Sequence, residues 1–330
     1  MISRRTILAS APAAAAAAGM APALAQNAGA PAAGAAGAGS AAGQAPGFYR
    51  YKVGDIEITA VHDGVAMRPV EGLVRNAELG DVKKALTEAF LPDTALPITF
   101  TALVIRSGGK TVLIDTGNGD NGAPTSGHFM RNFRAAGFDP AQVDTVLISH
   151  FHGDHIGGLR LKDGTAPFAK AEIMVPETEW AFWMDDAKMS AAPEGMKGGF
   201  QNVRRVFGPV AKDVKQFQAG KELAPGITAV SAPGHTPGHT AFRIASGDKQ
   251  LMMVADITNH PALFVRNPAW AAVFDMDAEV ARDTRVKILD MAAADRIQLA
   301  FYHAPFPATG HVLKDGSGFR FVPVQWSSAV

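Results

Sequence analysis

A ten-residue stretch at 149–158, SHFHGDHIGG, constrains the possible folds of this chain more than any other feature. It carries four side chains that can bind metal: His150, His152, Asp154 and His155. The run before it, 143–148, is apolar and rich in β-branched residues, which predicts a buried strand. Side chains two positions apart on an extended chain share a face, and Gly153 allows a sharp turn. The four polar groups therefore approach one another from two directions.

The chemistry of these side chains points to metal binding. Four ligand groups that arrive from two directions can hold two ions rather than one. Neutral imidazole and carboxylate suit zinc and its neighbours, so we expect two divalent ions, zinc first, with Mn, Fe, Co and Cd also compatible. The alternative is a solvated polar loop that carries histidines by chance. That interpretation is less favoured, because it does not explain why so many ligand-type residues lie so close together.

Polar residues also follow other predicted strands. The strands are 227–231, 250–255 and 298–302, and the residues that follow them are His235, Asp256 and His303. Prolines and glycines on both sides of His235 predict a rigid loop with this side chain at its crest. Every candidate ligand thus lies at the carboxyl end of a predicted strand, which is where open α/β sheets hold their sites.

The His-x-His-x-Asp-His spelling, with the three later residues in this order, resembles the metallo-β-lactamase superfamily. The resemblance covers about 48–324. It implies an α/β fold of the αββα sandwich kind, with two mixed β-sheets face to face and helices outside. It implies one ion held by His150, His152 and His235, a second held by Asp154, His155 and His303, and Asp256 as a carboxylate that bridges the two.

The resemblance also implies roles around the ions. Two ions that share a carboxylate usually share a hydroxide, which would attack a carbonyl or phosphoryl centre without a separate general base. Asp256 and Asp154 are the catalytic carboxylates of this hypothesis. Asp115 would orient a ligand histidine, unless it merely begins a turn. His239 would support the metal loop, unless its hydrogen bonds are purely structural.

Within the superfamily, the chain looks like the exported methyl parathion hydrolase and dihydrocoumarin-type lactonase group. Shared features are the Phe-Tyr-Arg start at 48–50, the APGHTPGHT loop at 232–240 and the ending at 310–324. The polar segment 257–261 favours lactone or aryl-ester hydrolysis over organophosphate hydrolysis. The alternatives are a phosphotriesterase and a mononuclear iron sulfur dioxygenase, and the least favoured is a binding protein without catalysis. The absence of cysteine excludes the β-lactam-hydrolysing pattern, in which a cysteine replaces Asp256.

The sequence predicts the substrate pocket less sharply than the metal site. Aromatic residues are dense in the predicted helix that begins near 177, and they serve equally well as core or as the wall of an apolar cleft. The residues that we expect near a pocket are Phe151, Trp180, Trp183, His260, Trp270 and Phe274. The segment 188–199 is rich in Met, Gly, Pro and Ala and predicts an irregular loop.

The chain divides into three parts by composition. Residues 1–25 resemble a twin-arginine export signal, with Arg4 and Arg5 before an alanine-rich stretch and a small-x-small cleavage site. An ordinary secretory signal with a chance arginine pair is the alternative. Residues 26–46 contain almost no large apolar side chain and predict a flexible Ala/Gly/Pro linker. Residues 47–330 form the predicted hydrolase domain of a periplasmic or secreted protein.

Charge and hydropathy restrict the partners. Lys plus Arg and Asp plus Glu both total 31, so a nucleic-acid partner is not expected. The alanine-rich run is short and interrupted by Pro12, Gly19 and Pro22, so no membrane span is expected in the mature protein. The expected partner is a small-molecule ester, lactone or phosphotriester. A homodimer is compatible with the sequence, which does not set the oligomeric state.

Overall fold

The computed structural model describes residues 45–330. The export signal predicted for 1–25 and nearly all of the linker predicted for 26–46 lie outside the described residues. The first hairpin forms where alternating apolar residues flank Gly54, whose positive φ of 56° suits a tight turn. In the described part of the chain, no helix is long and apolar enough to cross a membrane.

Strands in residues 45–330 form two seven-stranded sheets. The first sheet contains, in spatial order, β1 (Phe48–Val53), β2 (Ile56–Pro69), β3 (Ala95–Ser107), β4 (Lys110–Ile114), β5 (Thr145–Leu147), β6 (Glu172–Pro176) and β7 (Lys215–Phe217). Its first four strands are antiparallel, and β4 to β7 are parallel. This mixed order brings the carboxyl ends of β4 and β5 to the same edge of the sheet.

The second sheet is antiparallel apart from one central pair. It contains, in spatial order, β8 (Glu222–Ala224), β9 (Ile227–Ser231), β10 (Thr240–Ser246), β11 (Lys249–Ala255), β12 (Gln298–Phe301), β13 (Thr309–Asp315) and β14 (Gly318–Pro323). The parallel pair is β11 and β12, so both of these strands end at the same edge.

Helices flank the two sheets. They are α1 (Leu79–Glu88), α2 (Phe129–Ala135), α3 (Gly153–Ile156), α4 (Glu177–Trp183), α5 (Asp186–Ala191), α6 (Glu194–Phe207) and α7 (Ala278–Ala294). The pleat of β11 shows how the layers stack: Leu251 and Met253 face the core between the sheets, while Met252 and Val254 face outward with Leu289 of α7. The αββα sandwich predicted from the sequence is confirmed.

The loop predicted for 188–199 is wrong. Most of this segment lies in α5 and the first turns of α6, with a break only around Pro193. Asp185 caps α5 by accepting hydrogen bonds from the backbone N–H groups of Ala187 and Lys188. Gly199 lies in α6 against Trp183, and a Cβ here would lie 3.2 Å from the indole ring, so glycine permits this close packing. Tertiary packing thus overrides a composition that is poor for helices.

Candidate metal centre

Loops at the carboxyl ends of four strands build the candidate site. β5 leads to His150 and His152, and α3 then carries Asp154 and His155. The other three side chains follow β9, β11 and β12. The structure brings together all seven side chains that the sequence singles out: His150, His152, Asp154, His155, His235, Asp256 and His303. They come from both sheets, so the sandwich itself sets their spacing.

Three histidines form one potential ion site. Nδ1 of His152 lies 3.1 Å from Nε2 of His150 and 2.9 Å from Nε2 of His235. His150 and His235 are buried, while His152 is partly open. Three ring nitrogens that face one another at this spacing could supply three of the four ligands of a tetrahedral zinc site.

The second potential ion site contains a carboxylate and two histidines. Oδ2 of Asp154 lies 3.5 Å from Nε2 of both His155 and His303. Asp256 lies between the two sites: its Oδ1 is 3.2 Å from His155 Nε2, and its Oδ2 is 3.3 Å from His235 Nε2. The carboxylate of Asp256 can therefore touch an ion in either site.

Hydrogen bonds at the far side of each ring place the ring protons. Nδ1 of His155 faces the Asp115 carboxylate at 2.8 Å, and Nδ1 of His303 faces the backbone carbonyl of Thr99 at 2.8 Å. Both partners only accept hydrogen bonds, so each Nδ1 carries a proton. In the neutral ring, Nε2 then presents a bare lone pair to the centre of the cluster, as a metal ligand must.

The cluster fits divalent cations. Nε2 of His155 and Oδ1 of Asp256 are buried and have no hydrogen-bond partner among residues 45–330. Nε2 of His303 lies 2.9 Å from Oδ2 of Asp256, so two electron-rich atoms face each other when the ring is neutral. A cation between these lone pairs removes the repulsion and satisfies the orphaned atoms.

The pKa shifts divide the cluster in the same way. Burial lowers the pKa of His150 well below its usual value and that of His152 to about 3, so both rings are neutral ligands at pH 7. Burial also lowers the pKa of His155, but the carboxylates of Asp256 and Asp154 raise it by more. The net effect is a pKa well above the usual value for histidine. The carboxylate side of the cluster thus attracts positive charge, which protons or metal ions can supply.

Asp115 lies beneath the cluster. Its Oδ2 accepts hydrogen bonds from His155 Nδ1 and from the Ser149 hydroxyl, and its Oδ1 accepts one from the Ser149 backbone N–H at 2.8 Å. Its φ is +61°, a region that aspartate tolerates better than most residues. Asp115 therefore fixes both the ring of His155 and the loop that begins at Ser149.

His239 holds the backbone beneath Asp256. Its Nδ1 donates to the carbonyl of Ala232 at 2.9 Å, and its Nε2 accepts the backbone N–H of Asp256 at 3.0 Å. Only a neutral ring can do both, and burial lowers its pKa to about 3. His239 thus joins the loop after β9 to the end of β11.

Sequence reasoning missed a buried ion pair beside His235. Oδ1 of Asp275 lies 3.0 Å from His235 Nδ1, and Oδ2 of Asp275 lies 3.0 Å from Nη2 of Arg285. Arg285 also donates to the carbonyls of Ile257, Pro268 and Trp270. No local motif marks either residue, because the pairing depends on how α7 packs under the 256–275 segment.

A cavity of about 650 Å³ opens onto the cluster. One wall is apolar, with Ile98, Phe100 and the predicted pocket residue Phe274. Asn259 is 3% exposed, and its side-chain oxygen Oδ1 has no hydrogen-bond partner among residues 45–330. Apart from Asn259 and the candidate metal ligands, the polar or charged side chains that line the cavity are Arg68, Asn118 and Asn121.

The other aromatic residues expected at the pocket lie elsewhere. Phe151 packs its ring 4.6 Å from that of Phe207, and Trp183 packs 4.8 Å from Phe200, behind the metal loop. Trp180 is half-buried in the same aromatic cluster. The remaining two residues also lie away from the cavity lining: Trp270 packs against the main core, and His260 lines a neighbouring cavity of about 320 Å³.

Comparison with curated proteins shows two kinds of relative. The N-acyl homoserine lactonase AttM of Agrobacterium fabrum is 31% identical over 137 residues, which cover 37% of this chain and 44% of that protein. Ribonuclease TTHA0252 of Thermus thermophilus is 27% identical over 192 residues, which cover 55% of this chain and 40% of that protein. The chain thus spans less than half the length of each.

Two solved structures are similar over most of the domain. The hydrolase AbOPH in the beta-lactamase superfamily is 26% identical, with a TM-score of 0.82 over 87% of this chain and all of that one. AidC, a dizinc quorum-quenching lactonase in complex with a product, is 26% identical, with a TM-score of 0.81 over 86% of this chain and 99% of that one.

Comparison of the sequence with models of protein families gives the family assignment. The metallo-beta-lactamase superfamily model matches residues 101–297, more than half of the chain, and the match includes every candidate ligand except His303. The chain belongs to the metallo-beta-lactamase superfamily.

Proposed function

We propose that this chain is a hydrolase with two divalent metal ions that opens lactones or cleaves aryl esters. The observation that carries the proposal is the convergence of histidine ring nitrogens on the buried carboxylate of Asp256, at the floor of a cavity large enough for a small organic molecule. Two ions bound there would supply an activated water and polarise the carbonyl under attack.

The ligand assignment follows the geometry of the two groups. We assign His150, His152 and His235 to one ion, Asp154, His155 and His303 to the other, and Asp256 to both. Burial raises the pKa of Asp256, but His303 and His155 together hold it well below its usual value, so this carboxylate is anionic at neutral pH.

Asp154 is the carboxylate that a substrate can reach. Its side chain is 23% exposed towards the cavity, whereas that of Asp256 is 3% exposed. We propose that the catalytic role of Asp154 is to help hold the second ion, so that this ion would lie on the open side of the cluster, beside the substrate.

The cavity favours a substrate with both apolar and polar parts. Phe100 and Phe274 offer an apolar surface, and the unpaired side-chain oxygen of Asn259 offers an acceptor beside it. The likeness to AidC, whose structure contains the product N-hexnoyl-L-homoserine, supports lactones with an acylated amino substituent. The finer assignment to the methyl parathion hydrolase and dihydrocoumarin-type group remains part of this proposal.

A substrate panel with metal analysis tests the proposal. Purified protein is loaded with zinc and offered simple lactones, acylamino lactones, aryl esters and phosphotriesters. We expect two ions per chain and turnover of a lactone or an aryl ester that stops when chelator is added. Turnover of phosphotriesters alone would favour the phosphotriesterase, and a single iron with oxygen-dependent oxidation of a thiol or persulfide would favour the sulfur dioxygenase.

We also propose that the protein acts in the periplasm or outside the cell. The proposal rests on the paired arginines and the alanine-rich stretch that follows them. Fractionation of cells that express the full chain tests it: replacement of Arg4 and Arg5 by lysine should retain the protein in the cytoplasm. Unchanged export of this variant would contradict a twin-arginine signal.

A further inference from the structure

A buried glutamate outside the ligand set connects the two loops that carry the three-histidine group. Oε2 of Glu179 accepts the backbone N–H of Phe151 at 3.2 Å, and its Oε1 accepts the backbone N–H of Gly238 at 2.8 Å. Phe151 lies between His150 and His152, and Gly238 lies three residues after His235. One carboxylate therefore spans the two loops.

We propose that Glu179 is a positioning residue that sets the spacing of the three-histidine ion site. This inference rests on the proposed metal centre. The two loops are far apart in the sequence, since His152 and His235 are 83 positions apart, yet they bring two ring nitrogens to 2.9 Å. Small movements of either loop change the shape of the site, and Glu179 restrains both from one point on α4.

The packing around Glu179 leaves no room for adjustment. A Cβ at Gly238 would lie 2.4 Å from the backbone nitrogen of Glu179 and 3.0 Å from its Cγ. Only glycine permits this approach between the loop and the helix. A third donor, the indole N–H of Trp183, lies 2.6 Å from Oε2 and fixes the carboxylate from within α4.

Energetics argues against a role in stability alone. Glu179 is fully buried, and no Lys, Arg or His side chain lies within 4.0 Å of its carboxylate among residues 45–330. Burial raises its pKa, although hydrogen-bond donors at Thr236, Gly238, Trp183 and Phe151 oppose the rise. A buried carboxylate without a cation is costly compared with a neutral side chain of the same size. What the carboxylate alone provides here is two acceptor atoms that face two separate loops.

The variant Glu179→Gln tests this role. Glutamine has nearly the same size, but its amide NH2 group would face the backbone N–H of one of the two loops and could not accept a hydrogen bond from it. Zinc-loaded protein is titrated with a competing chelator, and the release of each of two ions is followed. We expect one ion to leave at a roughly 10- to 100-fold lower chelator concentration, as for other residues that orient ligands, with the other release unchanged. In the cobalt-loaded variant, the visible absorption of the cobalt ion in the three-histidine site should change, because the geometry of its ligands changes.

Two variants serve as references. Glu177→Gln changes an exposed residue of the same helix that bonds Gln218, and it should change neither release step. His303→Ala removes a candidate ligand of the other ion, so it identifies which release step belongs to which ion.

The outcomes separate the inference from the proposed function. If wild-type protein binds fewer than two ions, the proposed metal centre fails. If it binds two but Glu179→Gln releases both as wild type does, or weakens both equally, the positioning role is overturned. If Glu179→Gln does not fold, Glu179→Asp takes its place: the shorter carboxylate reaches only one loop, and the same selective loss is expected.

Discussion

Oδ1 of Asp275 lies 3.0 Å from Nδ1 of His235, and both side chains are almost completely buried. The other oxygen of Asp275 pairs with Arg285, which in turn holds three backbone carbonyls of the 256–275 segment. A histidine of the candidate metal centre is thereby anchored to α7, on the outer face of the second sheet. The packing of that helix and the geometry of the site are linked through one carboxylate.

We expect Asp275→Asn to weaken the three-histidine ion and to destabilise the fold. The amide leaves Arg285 buried without a counter-charge, which costs about 3–5 kcal/mol of unfolding free energy. The loss of the carboxylate behind His235 should lower the affinity for that ion about 10- to 100-fold. Urea unfolding and chelator titration measure the two effects. Asp277→Asn, a helix-cap change on the same segment, should preserve both quantities, because asparagine caps helices as well as aspartate does.

Asp115→Asn should act most strongly on the ion bound by His155, because Asp115 contacts that ligand directly. Asparagine tolerates the positive φ at this position, so the backbone can keep its shape. Its amide nitrogen, however, opposes one of three donors from Ser149 and His155. We expect the affinity of the ion bound by His155 to fall about 10- to 100-fold, measured by chelator titration. Asp144→Asn, which changes an exposed acceptor ahead of β5, is the matched control. Equal effects of the two substitutions would contradict the role of Asp115.

His260 should make the fold less stable in mild acid. Burial lowers its pKa to about 4, with a further contribution from His303, whereas the pKa of an unfolded histidine is about 6.5. Between these values the unfolded chain binds a proton that the folded chain does not, so stability falls as the pH falls from about 6.5 to about 4. The resulting loss in the free energy of unfolding is small above pH 6.5 and amounts to about 2 kcal/mol at pH 5.

The variant His260→Asn isolates this effect. Its side-chain oxygen can replace Nδ1 as the acceptor of the Ala262 N–H, but it does not titrate. Urea unfolding at pH 7 and pH 5, with excess chelator for both proteins, gives the difference between variant and wild type. We expect the variant to lose less stability than wild type between the two pH values. Parallel losses in both proteins would show that His260 is not the source.

Leu289→Ala should separate stability from metal binding. Leu289 is fully buried between α7 and the second sheet, so truncation should cost about 2–5 kcal/mol of unfolding free energy. The apolar cluster to which it belongs contains hydrophobic side chains of the second sheet and α7, and none of the candidate ligands. The affinity for both ions at low temperature should therefore match that of wild type, and a large selective loss of one ion would refute this independence.

The sequence predicts the ligands better than it predicts what holds them. Four ligand candidates fall within six positions, so local pattern is enough to select them. The other three follow apolar strands, and it is the resemblance of their order to the metallo-β-lactamase superfamily that selects them. Glu179, Asp275 and Arg285 have no such pattern. Glu179 stands among helix residues that could as well face water, and Asp275 reaches His235 across 40 residues. Their roles come from tertiary contacts, which periodicity and spacing do not encode.

The pocket and the α5–α6 region show the same limit. Phe151, Trp180 and Trp183 are dense enough to suggest a cleft, yet they pack against Phe200 and Phe207, behind the metal loop. Those partners lie in α6, which begins within a segment whose glycines and prolines predict a loop. When this segment is interpreted as a loop, the sequence gives no packing partner for the aromatic side chains. A helix at α6 provides those partners and predicts that the aromatic side chains lie in the core.

Metal content and lactone turnover, measured together in wild type and in His152→Ala, test the central claim most directly. His152 is partly open and contributes one of three nitrogens to its group, so its removal should leave the fold intact and the site incomplete. The account predicts two ions per chain and turnover for wild type, and one firmly bound ion with turnover near background for the variant. Full turnover by His152→Ala, or by metal-free wild type, would contradict it.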